Sequence, residues 1–340
     1  MATDKAPKII VVIGPTASGK SDLALRLALW LRSGRIVKQL GVSGAEIISA
    51  DSRQVYRGMD IGTGKVPRDK HKGHLSTKAL SPFVSSGIQH HLIDVTSPKK
   101  QFTADDFKNL GEKAIQDVIS RNKIPIIVGG TGFYIDVLLG RMSVAEVPPN
   151  RKLRERFDKL SAEHLFKMLR KLDPQRTKTI DSKNKRRLIR ALEIVLTTGK
   201  PVPKPANSKW LIASGYNVFW LGLKPKNLEK KIKTRLDKRL GQGMIKEVEQ
   251  LHNPPAGGGV SWKRLDNFGL EYRWISRYLK DPRQSTIDYR HFVKSEFYEI
   301  LLRNIIKYSK RQITWFKRNR EIHWIKNYSE AEKLTRDFVL

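Results

Sequence analysis

Eight consecutive residues, Gly14-Pro15-Thr16-Ala17-Ser18-Gly19-Lys20-Ser21, carry the densest chemistry in the chain. They match G-x-x-x-x-G-K-[ST], in which glycines let backbone N–H groups curl toward an anion, the lysine adds a point charge and the last hydroxyl can reach Mg²⁺. Gly14, Thr16, Ala17, Ser18, Gly19, Lys20 and Ser21 are therefore the expected diphosphate-binding residues, with Ser21 the expected magnesium ligand. The loop supplies a diphosphate site and leaves the reaction open, because kinases, ATPases and enzymes that expel diphosphate can all use it. An acid that bears on the choice is Asp51, just past the apolar run Glu46 to Ser49. It could hold magnesium, act as a general base beside the diphosphate, or cap a helix after it.

These groups need rigid elements to position them. Lys8 to Ile13 (KIIVVI) is a continuous β-branched run, as expected of a strand covered on both faces. Leu23, Leu27 and Leu31 then recur at helical spacing from Asp22 onward. Glu46 to Ser49, His91 to Val95, Ile124 to Val128 and Asn217 to Leu223 read as further strands. Thr103 and Asp106 have capping-box spacing ahead of a helix reaching about Arg121. The expected fold is α/β, a P-loop NTPase-like parallel sheet flanked by helices, with an inserted basic helical domain. Its parts are residues 1–147 (first part of the core), 148–200 (helical insertion) and 201–340 (second part of the core, ending in helices). Pro201, Pro203 and Pro205 should carry the chain out of the insertion in extended form. Segments 32–44 and 66–88 look like extra loop length.

Composition narrows the partners. The 340 residues hold 66 Lys plus Arg against 33 Asp plus Glu, a formal charge of +33. A free nucleotide does not require that charge, whereas an RNA stem-loop rewards distributed cations through counterion release. Residues 151–200 alone hold 16 basic against 6 acidic residues, making the insertion the expected RNA contact through Lys183, Arg186, Arg187 and Arg190. A second cluster, Lys307 to Arg320, has six basic residues and no acid; solvated helix faces are the alternative reading of either cluster. With no Cys, disulfides, thiolate zinc sites and cysteine nucleophiles are excluded. The apolar run Ile9 to Ile13 is too short to span a bilayer and lacks a signal-peptide layout, so a cytoplasmic protein without a membrane partner is expected. His90 and His91, adjacent on a strand, point to opposite faces and are assigned no metal.

The run Asp51-Ser52-Arg53-Gln54-Val55-Tyr56-Arg57-Gly58-Met59-Asp60-Ile61-Gly62-Thr63-Gly64-Lys65 closely resembles the DSxxxYxxMDIGTxK signature of tRNA dimethylallyltransferases and the related adenylate isopentenyltransferases. Further matches follow in family order: His90-His91-Leu92-Ile93-Asp94, Val128-Gly129-Gly130-Thr131-Gly132-Phe133-Tyr134, Arg190-Ala191-Leu192-Glu193 and Lys310-Arg311-Gln312-Ile313-Thr314-Trp315. Together they cover nearly the whole chain.

The resemblance implies transfer of a dimethylallyl group from dimethylallyl diphosphate, with Mg²⁺, to N6 of the adenosine 3′-adjacent to the anticodon in tRNA. It implies Asp51 as base, and Thr16 and Arg235 as catalytic groups on the diphosphate, Arg235 lying in a stretch similar to the family's RIxxRvD helix. Lys231 departs from the Arg common at that position and loses its bidentate fork. Ser52, Gln54, Thr131, Gly132, Lys310, Arg311 and Gln312 are expected to touch the substrate base or the tRNA. Arg235 could instead be a surface charge, and Gln54 a helix-surface amide. Zinc fingers often appended by eukaryotic members are impossible without Cys, which favours the bacterial type, expected as a monomer. Two other functions remain open: an isopentenyltransferase acting on free AMP, ADP or ATP, and an RNA-dependent P-loop ATPase.

Overall fold

The structure is a computed structural model in which residues 6–70, 82–145, 147–203, 215–283 and 288–340 are described. Its strands are β1 (Lys8–Ile13), β2 (Ala45–Ser49), β3 (Phe83–Ser85), β4 (Ile88–His91), β5 (Ile124–Gly129), β6 (Asn217–Leu223) and β7 (Ile322–Ile325). The helices are α1 (Lys20–Leu31), α2 (Gly34–Leu40), α3 (Ala104–Ser120), α4 (Gly132–Leu138), α5 (Arg151–Phe157), α6 (Ala162–Leu172), α7 (Pro174–Thr177) and α8 (Lys185–Thr198). After β6 come α9 (Leu228–Gly241), α10 (Met244–His252), α11 (Trp262–Phe268), α12 (Leu270–Leu279), α13 (Tyr289–Lys294), α14 (Glu296–Phe316) and α15 (Tyr328–Val339).

The seven strands form one sheet in the order β3-β4-β2-β5-β1-β6-β7. Every pairing is parallel except β3 with β4. β1 earns its central place by composition: Ile9 to Ile13 are all buried, as two-sided burial demands. Asp51 would lie directly beside the phosphate loop if β2 were paired with β1. The two are not paired; β5 lies between them, so two strand spacings, about 10 Å, separate their ends.

Four local expectations are corrected. The strand expected at His91 to Val95 ends at His91, because Leu92 and Asp94 take φ of 61° and 58° and break the ladder. Segment 66–88 contributes β3, joined to β4 by Ser86 and Gly87, both at positive φ as in a tight hairpin turn. Segment 32–44 contains α2. The C-terminal region expected to be helical includes β7, a four-residue edge strand buried only at its two ends, Ile322 and Ile325, and so without the period-two alternation that marks a strand.

By chain contacts the molecule divides into two compact units, Met1–Leu138 with Ser214–Leu340, and Leu139–Ala213. The first holds the sheet and two clusters: α1 and α15 side chains against the strands, and a helical cluster in which Val55, Tyr56 and Met59 pack with Leu236, Phe268 and Tyr272. The second has its own core of Phe157, Leu165, Leu169, Leu188 and Leu192. Pro201 and Pro203 lie outside any helix or strand, and Pro205 falls outside the described residues.

Candidate active site

β1 ends at Ile13 and α1 begins at Lys20, so the glycine-rich loop spans a strand end and a helix N-terminus. Gly19 sits at φ 86°, the left-handed conformation glycine tolerates, and Ala17 is also at positive φ. Gly14 is closed in by the Ser18 hydroxyl, 2.6 Å from where a Cβ would stand. Ser18 Oγ is itself buried without a hydrogen-bond partner, an orphan donor inside the anion cradle.

The cations around this loop are bonded to neutral oxygens. Lys20 Nζ donates to the Pro15 carbonyl at 3.3 Å. Arg235, on α9, donates Nη2 to Thr16 Oγ1. Burial pushes the Lys20 ammonium down to about 8, with Arg235 adding repulsion and Asp51 opposing it. Burial and Arg239 likewise push Arg235 down to about 10, again against Glu271 and Asp51. Arg235 is thus turned into the site, not out to solvent, while Lys231 on the same helix is exposed.

Asp51 follows β2, and no helix comes after it; residues 52–55 are turns. Its Oδ1 accepts the Arg53 N–H at 2.8 Å and the Gln54 N–H at 3.4 Å, which aims the carboxylate and leaves Oδ2 outside those bonds. Its charge reaches Lys20, Arg235, Tyr134 and Tyr308. Ser52 donates its N–H to Thr131 Oγ1 at 3.3 Å, tying the β2 end to the turn after β5. Gln54 is committed internally: Ser49 Oγ donates to its Oε1 at 3.0 Å and its Nε2 faces the Thr63 and Gly64 carbonyls.

The signature Asp60-Ile61-Gly62 is organised by a residue the sequence did not announce. Glu247, on α10, accepts the N–H groups of all three, at 2.8, 2.6 and 3.0 Å, and the Tyr272 hydroxyl at 2.8 Å. Arg239 then donates to the Gly62 carbonyl at 3.2 Å, pairs with Glu271 at 3.6 Å, and occupies the space a side chain at Gly64 would need. Neither residue was singled out in the sequence: Arg239 could have been found as the cation one turn beyond Arg235, whereas Glu247 had no motif to mark it.

The remaining expected contacts divide. Lys310 is exposed and paired with Glu229 at 2.9 Å, and Arg311 is exposed with its guanidinium 5.7 Å from the Tyr308 ring centre. Gln312, expected among the RNA contacts, is buried, and Gly132 lies beneath Trp315. In the second unit Lys183, Arg186 and Arg187 are exposed. Arg190 turns inward, donating to Glu193 Oε2 at 2.6 Å and to the Val147 carbonyl at 2.9 Å.

On β4, His90 and His91 do point apart: His90 is buried with its ring edge against Phe83, and His91 bonds Glu46 at 2.7 Å. Glu46, His91 and Asp117 could converge on a cation, but Arg121 and Lys123 already bond Glu46.

A P-loop-like fold carrying this constellation defines a class, and comparison with known proteins gives the family. The family model described as IPP transferase matches residues 54–319, and the chain belongs to that family. A curated relative, tRNA dimethylallyltransferase 1 of Syntrophus aciditrophicus (strain SB), is 37% identical over 325 residues, covering 93% of each chain. The crystal structure of the full-length tRNA isopentenylpyrophosphate transferase from Bacillus halodurans matches with a TM-score of 0.58 and 28% identity, over 98% of this chain and 95% of that one. A crystal structure of a eukaryotic dimethylallyltransferase acting on tRNA gives a TM-score of 0.72 at 22% identity, over 98% and 79% of the chains, a likeness of fold.

Proposed function

We propose that this protein transfers the dimethylallyl group of dimethylallyl diphosphate to N6 of the adenosine 3′-adjacent to the anticodon of tRNA, releasing diphosphate. The observation that carries the reading is that one carboxylate, Asp51 at the end of β2, stands within electrostatic reach of both Lys20 of the phosphate loop and Arg235. Adenine N6 is a poor nucleophile, and an allylic diphosphate ionises when its oxygens are neutralised. As N6 bonds to the allylic carbon, the carbon–oxygen bond breaks and its electron pair leaves with diphosphate. Lys20, Arg235, the loop N–H groups and the Arg235-bonded Thr16 hydroxyl meet that charge; Asp51 takes the N6 proton.

Mg²⁺ fits the donor set. Ser21 offers one hard hydroxyl oxygen at the first turn of α1, and magnesium commonly takes one or two protein oxygens with phosphate oxygens and water. When bound it would neutralise diphosphate charge. The target adenine must leave its stack to reach Asp51, so binding is coupled to base flipping. Lys183, Arg186 and Arg187 of the second unit, with Lys310 and Arg311, are the proposed contacts for the tRNA backbone, and the protein is proposed to act as a cytoplasmic monomer. Among the described residues no helix is long and apolar enough to cross a membrane.

The test is to incubate the protein with dimethylallyl diphosphate, Mg²⁺ and either unmodified tRNA or AMP, and to weigh each acceptor for one added prenyl group. Prenylated tRNA with unchanged AMP is the expected result. Prenylated AMP with unchanged tRNA would overturn the reading in favour of a free-nucleotide enzyme, and RNA-stimulated ATP hydrolysis without prenylation in favour of an ATPase.

A further inference from the structure

Tyr308, Gln312 and Trp315 lie at i, i+4 and i+7 on α14, which places them along one face of the helix. That face meets the ends of two strands. Gln312 is buried, and its single amide is divided between two loops: Oε1 accepts the Thr16 N–H at 2.9 Å, and Nε2 donates to the Gly130 carbonyl at 2.8 Å. One turn on, Trp315 donates Nε1 to Asp136 Oδ2 at 2.8 Å and covers Gly132. One turn back, Tyr308 faces the Thr131 hydroxyl. The fit is close: a Cβ on Gly130 would collide with Gln312 Nε2, and one on Gly132 with the Trp315 ring.

Filling a core needs no amide here; a leucine packs as well and buries no polar group. An amide whose two ends serve different loops does something packing does not, because it makes the separation of Thr16 and Gly130 a matter of one rigid planar group. Thr16 also holds Arg235 through its hydroxyl, and Thr131, next to Gly130, holds the Ser52 N–H beside Asp51. The amide therefore stands between the side that would hold the diphosphate and the side that would hold the base.

We propose that Gln312 is a positioning residue that sets the spacing between the phosphate loop and the Gly130-Thr131-Gly132 turn. The spacing role stands on geometry alone; its value to catalysis rests on the proposed prenyl transfer, in which an error of about 1 Å in approach can cost on the order of 100-fold.

Two variants and two readouts test it. Gln312→Leu removes both bonds, and amide hydrogen exchange in the unliganded protein should rise about 10-fold at residues 14–18 and at 129–132 together. Gln312→Glu keeps the acceptor for Thr16 N–H but sets an oxygen against the Gly130 carbonyl, so only 129–132 should loosen. Lowering the pH protonates that carboxyl, restores the donor and should return the turn toward wild-type protection. In turnover, Gln312→Leu should lower kcat about 30-fold per folded molecule while the Kd values of inorganic diphosphate and of tRNA each stay within about 3-fold. Unchanged exchange at both loops overturns the proposal, as does a diphosphate affinity that falls in step with kcat, which would make Gln312 a donor-site residue only. Should Gln312→Leu not fold, the one-sided, pH-reversible loosening of Gln312→Glu decides. If exchange behaves as expected but the wild type prenylates no acceptor, the spacing role stands and the proposed reaction falls.

Discussion

The two ends of the central sheet use the same ingredients to opposite effect. At the N-terminal end Glu46 is buried and closed off: burial alone would raise its carboxyl, yet hydrogen bonds from His91, Arg121 and Lys123 hold it well below the usual carboxylate range. At the C-terminal end Lys20 and Arg235 are held against a carbonyl and a hydroxyl, and burial drags both down. A buried charge that is fully paired organises structure, whereas buried cations held only by neutral oxygens are suited to binding an anion. In the second unit Arg190 and Arg154 close onto Glu193, whereas Lys183, Arg186 and Arg187 are exposed.

The sharpest way to break this comparison is Asp51→Asn. The amide oxygen can still accept from Arg53 and Gln54, so the turn survives, but the base is gone. Single-turnover prenylation of tRNA should slow by about 10³-fold, within the range general bases contribute, with melting temperature nearly unchanged. A loss under 10-fold would remove Asp51 from the chemistry.

Next in size are Lys20→Met and Arg235→Gln, each expected to lower kcat/KM about 100-fold, with Arg235→Lys a poor substitute because the fork is lost. The wild type should also show a pH signature. Lys20 loses its proton as pH rises through about 8, so kcat/KM for the diphosphate donor, which reports the free enzyme, should fall above pH 8. Bound diphosphate favours the ammonium, so the alkaline limb of kcat should lie at higher pH. Coincident limbs would mean that Lys20 does not meet the diphosphate.

How far the sequence carried this picture follows the range of the interactions. The phosphate loop, β1, α1 and the capping box of α3 were legible because each is a local pattern, spacing within about one helical turn or strand. Asp51 and Arg235 were legible by motif. Gln312 and Arg190 were noticed but assigned outward, because nothing local tells a buried polar side chain from an exposed one. Glu247 was invisible: its partners Asp60 to Gly62 are 185 to 187 residues away. Pairing between segments far apart in the chain likewise hid the place of β7 and the insertion of β5 between β1 and β2.

A smaller effect should separate the outward from the inward cations of the second unit. Replacing Arg186 and Arg187 with Gln should weaken tRNA binding about 10-fold at moderate salt and reduce the salt slope by about one per lost phosphate contact. Arg190→Gln should leave that slope alone and lower stability instead, since it uncovers part of the buried Glu193. Filter binding across a salt series, with a melt of each variant, reads both; an unchanged slope in the double variant would take these residues off the RNA.

The smallest effect on activity, and the counterpart at the other end of the sheet, belongs to Glu46→Gln. Prenyl transfer per folded molecule should stay within about 2-fold, because no proposed substrate contact lies there. Stability should fall by about 1–3 kcal/mol: Arg121 and Lys123 lose their buried acceptor, although at 35% and 29% exposure both can recover water. The pH dependence has a definite sign. Glu46 has a folded pKa below its ordinary 4.5, so its stabilisation is complete above that value and drains away as pH falls beneath it. Wild type should therefore lose stability between pH 4.5 and pH 3 more steeply than the variant, and urea titrations across that window would show the curves converging. Parallel curves would mean that Glu46 is not held as a closed pair, and an activity loss without destabilisation would erase the distinction between the two ends.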